Sequence, residues 1–252
     1  MKLLVDLGNT RIKWALIEEV QGSSVNFGAR SVFSYKGSAS NEVMLSSQGL
    51  PNELDEVIIS SVASADLLAR HCYDLTTTWD CAPTLVKVKS QHGSLKNTYD
   101  NIDALGVDRW VAAIGAHTHN PNESLIVIDA GTAITIDVLS ERNEFLGGVI
   151  MPGVGLMRGA LNGKTAQIHA HAKRNSPLIG RTTDECVNSG VRLSISGGVD
   201  RALELFAKQL NKSMPRVLIC GGDAKWLVSA SQFDLEYNPD MLFDGLETFS
   251  QR

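Results

Sequence analysis

The segment Asp6-Leu7-Gly8-Asn9-Thr10 sets a carboxylate, a glycine, an amide and a hydroxyl within five residues, directly behind the apolar run Leu3-Leu4-Val5. A glycine lets a phosphate approach the backbone, and the Asn9 amide and Thr10 hydroxyl can donate to phosphate oxygens. The same residue types also build an Asx-type turn that closes an ordinary hairpin. A second copy, Asp129-Ala130-Gly131-Thr132-Ala133 behind Val127-Ile128, favours chemistry over a chance turn. The third acidic position lies in Gly106-Val107-Asp108-Arg109-Trp110. An Asp beside an Arg stays ionised at neutral pH and can accept a proton from an alcohol, while the Arg binds an anionic or hydroxylated substrate. Equally, Asp108 can cap the apolar helix after it, with Arg109 toward solvent. Taken together, these residues are the parts γ-phosphoryl transfer requires: a phosphate cradle, a carboxylate such as Asp6 for a divalent cation, and a base for the acceptor hydroxyl.

The elements that must position these residues form an internal repeat. Each copy is an apolar strand, an Asp, a short Gly-containing turn and a second strand with alternating faces, Ile12, Trp14 and Leu16 in one and Ile134, Ile136 and Val138 in the other. That pattern predicts two hairpins, not strands that enter a helix, so backbone N–H groups of a strand-to-strand turn would do the cradling. Further apolar runs lie at Val57–Val62 and Arg109–Ile114. In the second half, Gly147–Ile150 precedes helical patterns around Leu156–Leu161 and over Thr183–Leu210. A last strand over Arg216–Cys220 runs into Gly221-Gly222-Asp223-Ala224. The polar, Pro-containing stretch Thr118–Asn122 marks the boundary, giving two related α/β domains over residues 1–118 and 119–252.

Other features argue against competing chemistries. Gly159–Thr165 has three residues between its glycines where a Walker A loop has four, and Gly153-Val154-Gly155 with Gly159 misses the dinucleotide spacing by one residue. Cys72, Cys81, Cys186 and Cys220 form no CxxC pair and read as reduced packing residues. The pairs His117/His119 and His169/His171 lack further ligands at useful spacing and read as surface histidines. A formal charge of -5 without a basic cluster disfavours nucleic acid and anionic membrane as partners. The first apolar run is cut by Asp6 too early for a signal peptide, and no stretch reaches bilayer length, so a cytoplasmic protein is expected.

The ordered motifs Asp6–Thr10, Gly106–Arg109, Asp129–Ala133 and Gly147–Gly153 resemble those of the type III pantothenate kinases over nearly the whole chain. The resemblance implies the sugar kinase and actin superfamily, an α/β fold of two duplicated ribonuclease-H-like domains with a nucleotide cleft between them. It implies transfer of phosphate from ATP with Mg²⁺ to pantothenate, the first step of coenzyme A synthesis, with potassium or ammonium as a monovalent cation. By the same resemblance, Asp6, Leu7, Gly8, Asn9, Thr10, Arg11, Ile12, Lys13 and Thr132 would contact ATP. Asp129 would bind the monovalent cation and Asp6 the Mg²⁺. Asp108 would be the proton acceptor, with Gly106, Val107, Asp108, Arg109, Tyr99 and Thr183 around the substrate. Without the family, Tyr99 reads as a half-buried aromatic and Thr183 as a helix cap. Gly221-Gly222-Asp223-Ala224 resembles the superfamily's adenosine-contacting turn. A homodimer that shares the substrate pocket is implied as well. The family also includes Bvg accessory factors that support transcription, so a nucleotide-binding regulator is the alternative reading, and a different sugar kinase or phosphatase of the superfamily is a third.

Overall fold

The computed structural model describes residues 1–21, 24–34, 43–165, 168–172, 176–211 and 213–250. The chain divides into two compact units, one of Met1–Asn122, Arg142–Phe145 and Asp240–Arg252, the other of Glu123–Glu141 and Leu146–Pro239. The segment from Asp240 onward, placed by the sequence expectation in the second half, thus belongs with the first unit.

The first unit is built on β1 (Lys2–Leu7), β2 (Ile12–Gln21), β3 (Ser24–Phe33), β4 (Glu56–Ser61), α1 (Ala65–Trp79) and β5 (Thr84–Leu85), in the sheet order β3-β2-β1-β4-β5. β1 pairs antiparallel with β2 and parallel with β4. Its near-continuous apolar run is what a strand covered on both faces needs. Leu3, Val5 and Leu7 join Trp14, Leu16, Val57 and Ile59 in a core that includes Leu75 of α1. Leu4, on the other face, packs with Ala15 and Ile58.

The helix α2 (Val107–His119) comes after the short strands β6 (Gln91–His92) and β7 (Leu95–Asn97). It packs with α6 (Met241–Glu247), the helix of the returning segment, against the Leu4 face through Val111, Leu242 and Leu246.

The two helices cross closely at glycines. A Cβ on Gly115 would lie 1.8 Å from the Met241 carbonyl, and one on Gly245 would lie 2.0 Å from the Val111 carbonyl. His117, expected at the surface, is buried near the C-terminus of α2, where Nε2 lies 2.9 Å from the Ser94 hydroxyl and burial lowers its pKa. The helix keeps an apolar pattern with one histidine inside it and the next, His119, outside, as the helical period requires.

The second unit repeats the plan with β8 (Leu125–Ala130), β9 (Ala133–Ser140), β10 (Glu144–Pro152), α3 (Val154–Lys164), α4 (Thr183–Gln209), β11 (Arg216–Cys220), α5 (Ala224–Ala230) and β12 (Glu236–Tyr237). Read from the other edge, its strands run β10-β9-β8-β11-β12, the order of the first unit transposed element by element. Again the central strand pairs antiparallel with the next strand and parallel with a later one. Ile126, Ile128 and Ala130 face α4, whose Val187, Val191, Ile195, Val199 and Leu203 recur every fourth residue as one buried stripe. Among the described residues no helix is long and apolar enough to cross a membrane.

The crossing of α2 and α6 predicts that Gly245→Ala, a single added methyl, lowers stability by about 2 kcal/mol or more, since the carbonyl it meets is backbone and cannot rotate away. Thermal denaturation of the variant against wild type measures this, and an unchanged midpoint would contradict the close crossing.

Candidate active site

In the first unit, both hairpin strands and β4 place a row of polar side chains at the end of β1. Asp6 stands opposite Lys13 on β2 and Ser60 on β4. Asp6 is only 4% exposed; its Oδ1 accepts from the Ser60 hydroxyl at 3.1 Å and its Oδ2 lies 3.3 Å from the Lys13 ammonium. A carboxylate buried this deeply needs such partners, because desolvation alone would favour its neutral form. The turn beyond is tight: the Gly8 N–H donates to the Arg11 carbonyl at 3.0 Å, and a Cβ on Gly8 would crowd that oxygen at 3.1 Å. Asn9 and Arg11 are exposed and Thr10 is half-buried, whereas Leu7 and Ile12 turn their side chains into the core. At those two positions only the backbone is left to meet a nucleotide.

The Gly106–Arg109 motif lies elsewhere in the same unit, at the start of α2. Gly106 is the cap residue, with Val107 first in the helix and Asp108 second, so Asp108 does not cap the helix. Its Oδ1 accepts the Arg109 N–H at 2.9 Å, and a Cβ on Gly106 would lie 2.6 Å from that same oxygen, so the glycine makes room for the carboxylate. Asp108 is half-buried. Arg109 is not on a solvent face: it is 6% exposed, and its guanidinium lies 5.7 Å from the Tyr99 ring centre and 5.9 Å from that of Phe145. The structure therefore brings Tyr99 and Arg109 together, as it does Asp6 and Lys13.

In the second unit, Asp129 occupies the position of Asp6, but its register neighbours are Thr135 on β9 and Cys220 on β11, both uncharged. The second turn is one residue shorter, with Ala130 opposite Ile134 where Leu7 faces Ile12. Three backbone segments close around it. Gly153 donates its N–H to the Thr132 carbonyl at 3.0 Å, and a Cβ there would lie 2.4 Å from the Gly131 carbonyl. Gly221 has φ +101°, and a Cβ on it would lie 2.5 Å from Asp129 Oδ1. Asp223 then donates its N–H to the Ala130 carbonyl at 2.9 Å. Half-buried Gly131 and Gly221 thus lie beside a carboxylate and the exposed Thr132 hydroxyl, a polar set that fits phosphate oxygens and a cation better than apolar ligands. Among the described residues no three His, Cys, Asp or Glu side chains cluster as a metal cage. A divalent ion that bridges phosphates needs only one or two protein carboxylates.

Several expected roles change in the folded chain. Thr182, not Thr183, caps α4, accepting the Glu185 N–H at 3.2 Å, so Thr183 is an exposed first helical residue. Cys186 is exposed on α4 and not packed, although Cys220 is buried. Gly159–Lys164 is helix, which removes any loop there, while β10 does run through Pro152 directly into α3, so Gly153 is a genuine strand-to-helix turn that serves the Thr132 loop. Ser60 and Phe145 are site residues the motif reading passed over. The parallel register of β1 with β4 signals Ser60, whereas nothing local marks Phe145.

Compared with known proteins, residues 2–204 match the family model of the type III pantothenate kinases. A type III pantothenate kinase of Alcanivorax borkumensis is 35% identical over all of this chain and 99% of its own length, and that of Methylibium petroleiphilum is 33% identical over 98% and 97%. Among solved structures, one described as a Baf family transcriptional activator from Campylobacter jejuni superposes with a TM-score of 0.56 at 18% identity over 97% of this chain and 95% of that one. One described as a 2-dehydro-3-deoxygalactonokinase from Sinorhizobium meliloti gives 0.56 at 14% identity over 98% and 97%. Likenesses this distant speak for fold alone, and the fold is an α/β architecture of two duplicated ribonuclease-H-like units. Within that class, the chain belongs to the type III pantothenate kinase family.

The pinched contact at Gly221 predicts that Gly221→Ala, which adds a Cβ at positive φ against Asp129, weakens ATP binding by about tenfold or more while the first unit keeps its stability. Titration calorimetry with an ATP analogue reads the loss; wild-type affinity would show that the turn tolerates a side chain.

Proposed function

We infer that this protein transfers the γ-phosphoryl group of ATP to the primary hydroxyl of pantothenate, forming 4'-phosphopantothenate. Membership of the family supports this over the full chain, and the observation that carries it structurally is the first turn of α2, where a half-buried carboxylate adjoins a buried guanidinium. A module that only binds nucleotide has no use for that acceptor side, and no observation favours the regulator reading over the kinase.

When bound, ATP supplies the phosphoryl group, and Mg²⁺ offsets its charge. The chain's own residues do the rest. Gly8 and Gly131 keep the two turns free of side chains so that phosphate can approach, Thr10 and Thr132 add hydroxyls, and Lys13 brings a cation to the end of β1, already held there by Asp6. Asp6 is the carboxylate we assign to the Mg²⁺ side, with Asn9 and Arg11 at the exposed rim. As the new O–P bond forms and the bond to the departing ADP breaks, the hydroxyl proton goes to an Asp108 carboxylate oxygen. Arg109 offers its charge to the substrate's carboxylate, flanked by Tyr99 and lined by Gly106 and Val107, with Thr183 as a further substrate contact. Asp129 has uncharged strand neighbours where Asp6 has Lys13, which supports a monovalent cation, potassium or ammonium, at the second carboxylate.

A homodimer belongs to the same proposal. α3 buries no residue, and Leu156, Leu178, Ile179 and Leu193 are exposed in the second unit, which suits a second copy of the chain. The net charge of -5 supports a small-molecule substrate over nucleic acid, and a cytoplasmic site suits the substrates.

Incubation with ATP, Mg²⁺, potassium and pantothenate should give phosphopantothenate, and absence of that product would move the acceptor to another alcohol. Asp108→Asn should lower kcat by about 10²- to 10⁴-fold with ATP affinity intact, the range general-base loss produces. An equal loss of ATP affinity would remove Asp108 from the proton-acceptor role.

A further inference from the structure

We propose that Phe145 is a positioning residue for the acceptor site, holding Arg109 and Tyr99 in the geometry that receives the substrate; this rests on the pantothenate kinase reading. Phe145 is fully buried, yet it enters the first unit from outside the motifs, on the Arg142–Phe145 segment that interrupts the second. Its ring meets three partners. The Arg109 guanidinium lies 5.9 Å from its centre, Tyr99 tilts against it at 6.3 Å, and Trp110 meets it edge-on at 6.0 Å and 85°.

The backbone of Phe145 is held just as firmly. It pairs in parallel with Asn97 of β7, and its carbonyl accepts both the Thr98 N–H at 3.2 Å and the Thr98 hydroxyl at 2.7 Å. Asn97 Oδ1 in turn accepts the Tyr99 N–H at 3.0 Å. One residue therefore fixes the loop that carries Tyr99 through its carbonyl, and the charge that faces the substrate through its ring.

The physical demand is clear. A long, rotamer-rich Arg side chain has to be ordered before it can bind an anion strongly, and ring faces 5.7 Å and 5.9 Å from the guanidinium restrict the rotamers open to it. The ring adds no atom to the chemistry. Its removal should therefore act on acceptor binding and leave the nucleotide side alone.

The test compares wild type, Phe145→Met and Phe145→Leu, which keep apolar bulk without the π face, with Thr98→Val, which at an exposed position removes one donor to the Phe145 carbonyl without a buried cavity. Steady-state kinetics should show the KM for pantothenate raised about tenfold in Phe145→Met and Phe145→Leu, and about twofold to threefold in Thr98→Val, with the KM for ATP unchanged. In an Arg109→Lys background, Phe145→Met should add little, because the ring then has no guanidinium to order. If Phe145→Met and Phe145→Leu fail to fold, the Thr98→Val shift carries the test. An unchanged pantothenate KM, an equal rise in the ATP KM, or full additivity with Arg109→Lys would overturn the proposal. A wild type that phosphorylates other alcohols but not pantothenate would instead overturn the pantothenate reading, and the positioning role with it.

Discussion

A strand covered on both faces can end in a carboxylate only if that carboxylate has partners, and this constraint organises the molecule. Asp6 is buried at the end of β1, where an unpartnered charge would cost several kcal/mol. Lys13 and Ser60 meet it from the two neighbouring strands, which requires the antiparallel and the parallel pairings to share one register. A slip of one residue on either side would turn Lys13 or Ser60 to the opposite face and leave the charge uncompensated. The order of strands, the tight turn at Gly8 and the polarity of the site are thus one requirement seen at three scales.

In the second unit the neighbours across the register differ. Thr135 and Cys220 stand beside Asp129 in the register where Lys13 and Ser60 stand beside Asp6, and Gly131 and Gly221 bring backbone up to it. One strand plan therefore sets a lysine beside the first carboxylate in the register and uncharged residues beside the second. Duplication made the scaffold symmetrical; the side chains across the register made the halves different.

Much of this was legible in the residues. The apolar runs, the repeated Asp and Gly turns and the alternation of Ile134, Ile136 and Val138 report strand period and hairpin topology directly, and the long helix over Thr183–Gln209 emerges from its pattern. Contacts between segments distant in the chain were not. Arg109 read as a solvent residue because nothing near it in sequence reveals Tyr99 above it or Phe145 beside it. His117 read as surface because a pair of histidines two apart looks symmetrical until the helix turns one of them inward. The cap of α4 moved by one residue, from Thr183 to Thr182, since adjacent threonines are equally able to accept and only backbone angles decide between them.

The interrupted course of the first unit bears on how the chain comes to be folded. Its sheet is synthesised early, but the Phe145 ring beside Arg109 arrives only with Arg142–Phe145, and the face over Leu4 is covered by α2 alone until α6 emerges. Between those moments a largely finished sheet has one apolar side only partly covered. The proposed acceptor site is therefore a late product of synthesis, and a ribosome-bound chain would present the Gly8 turn well before Arg109 had its Phe145 neighbour.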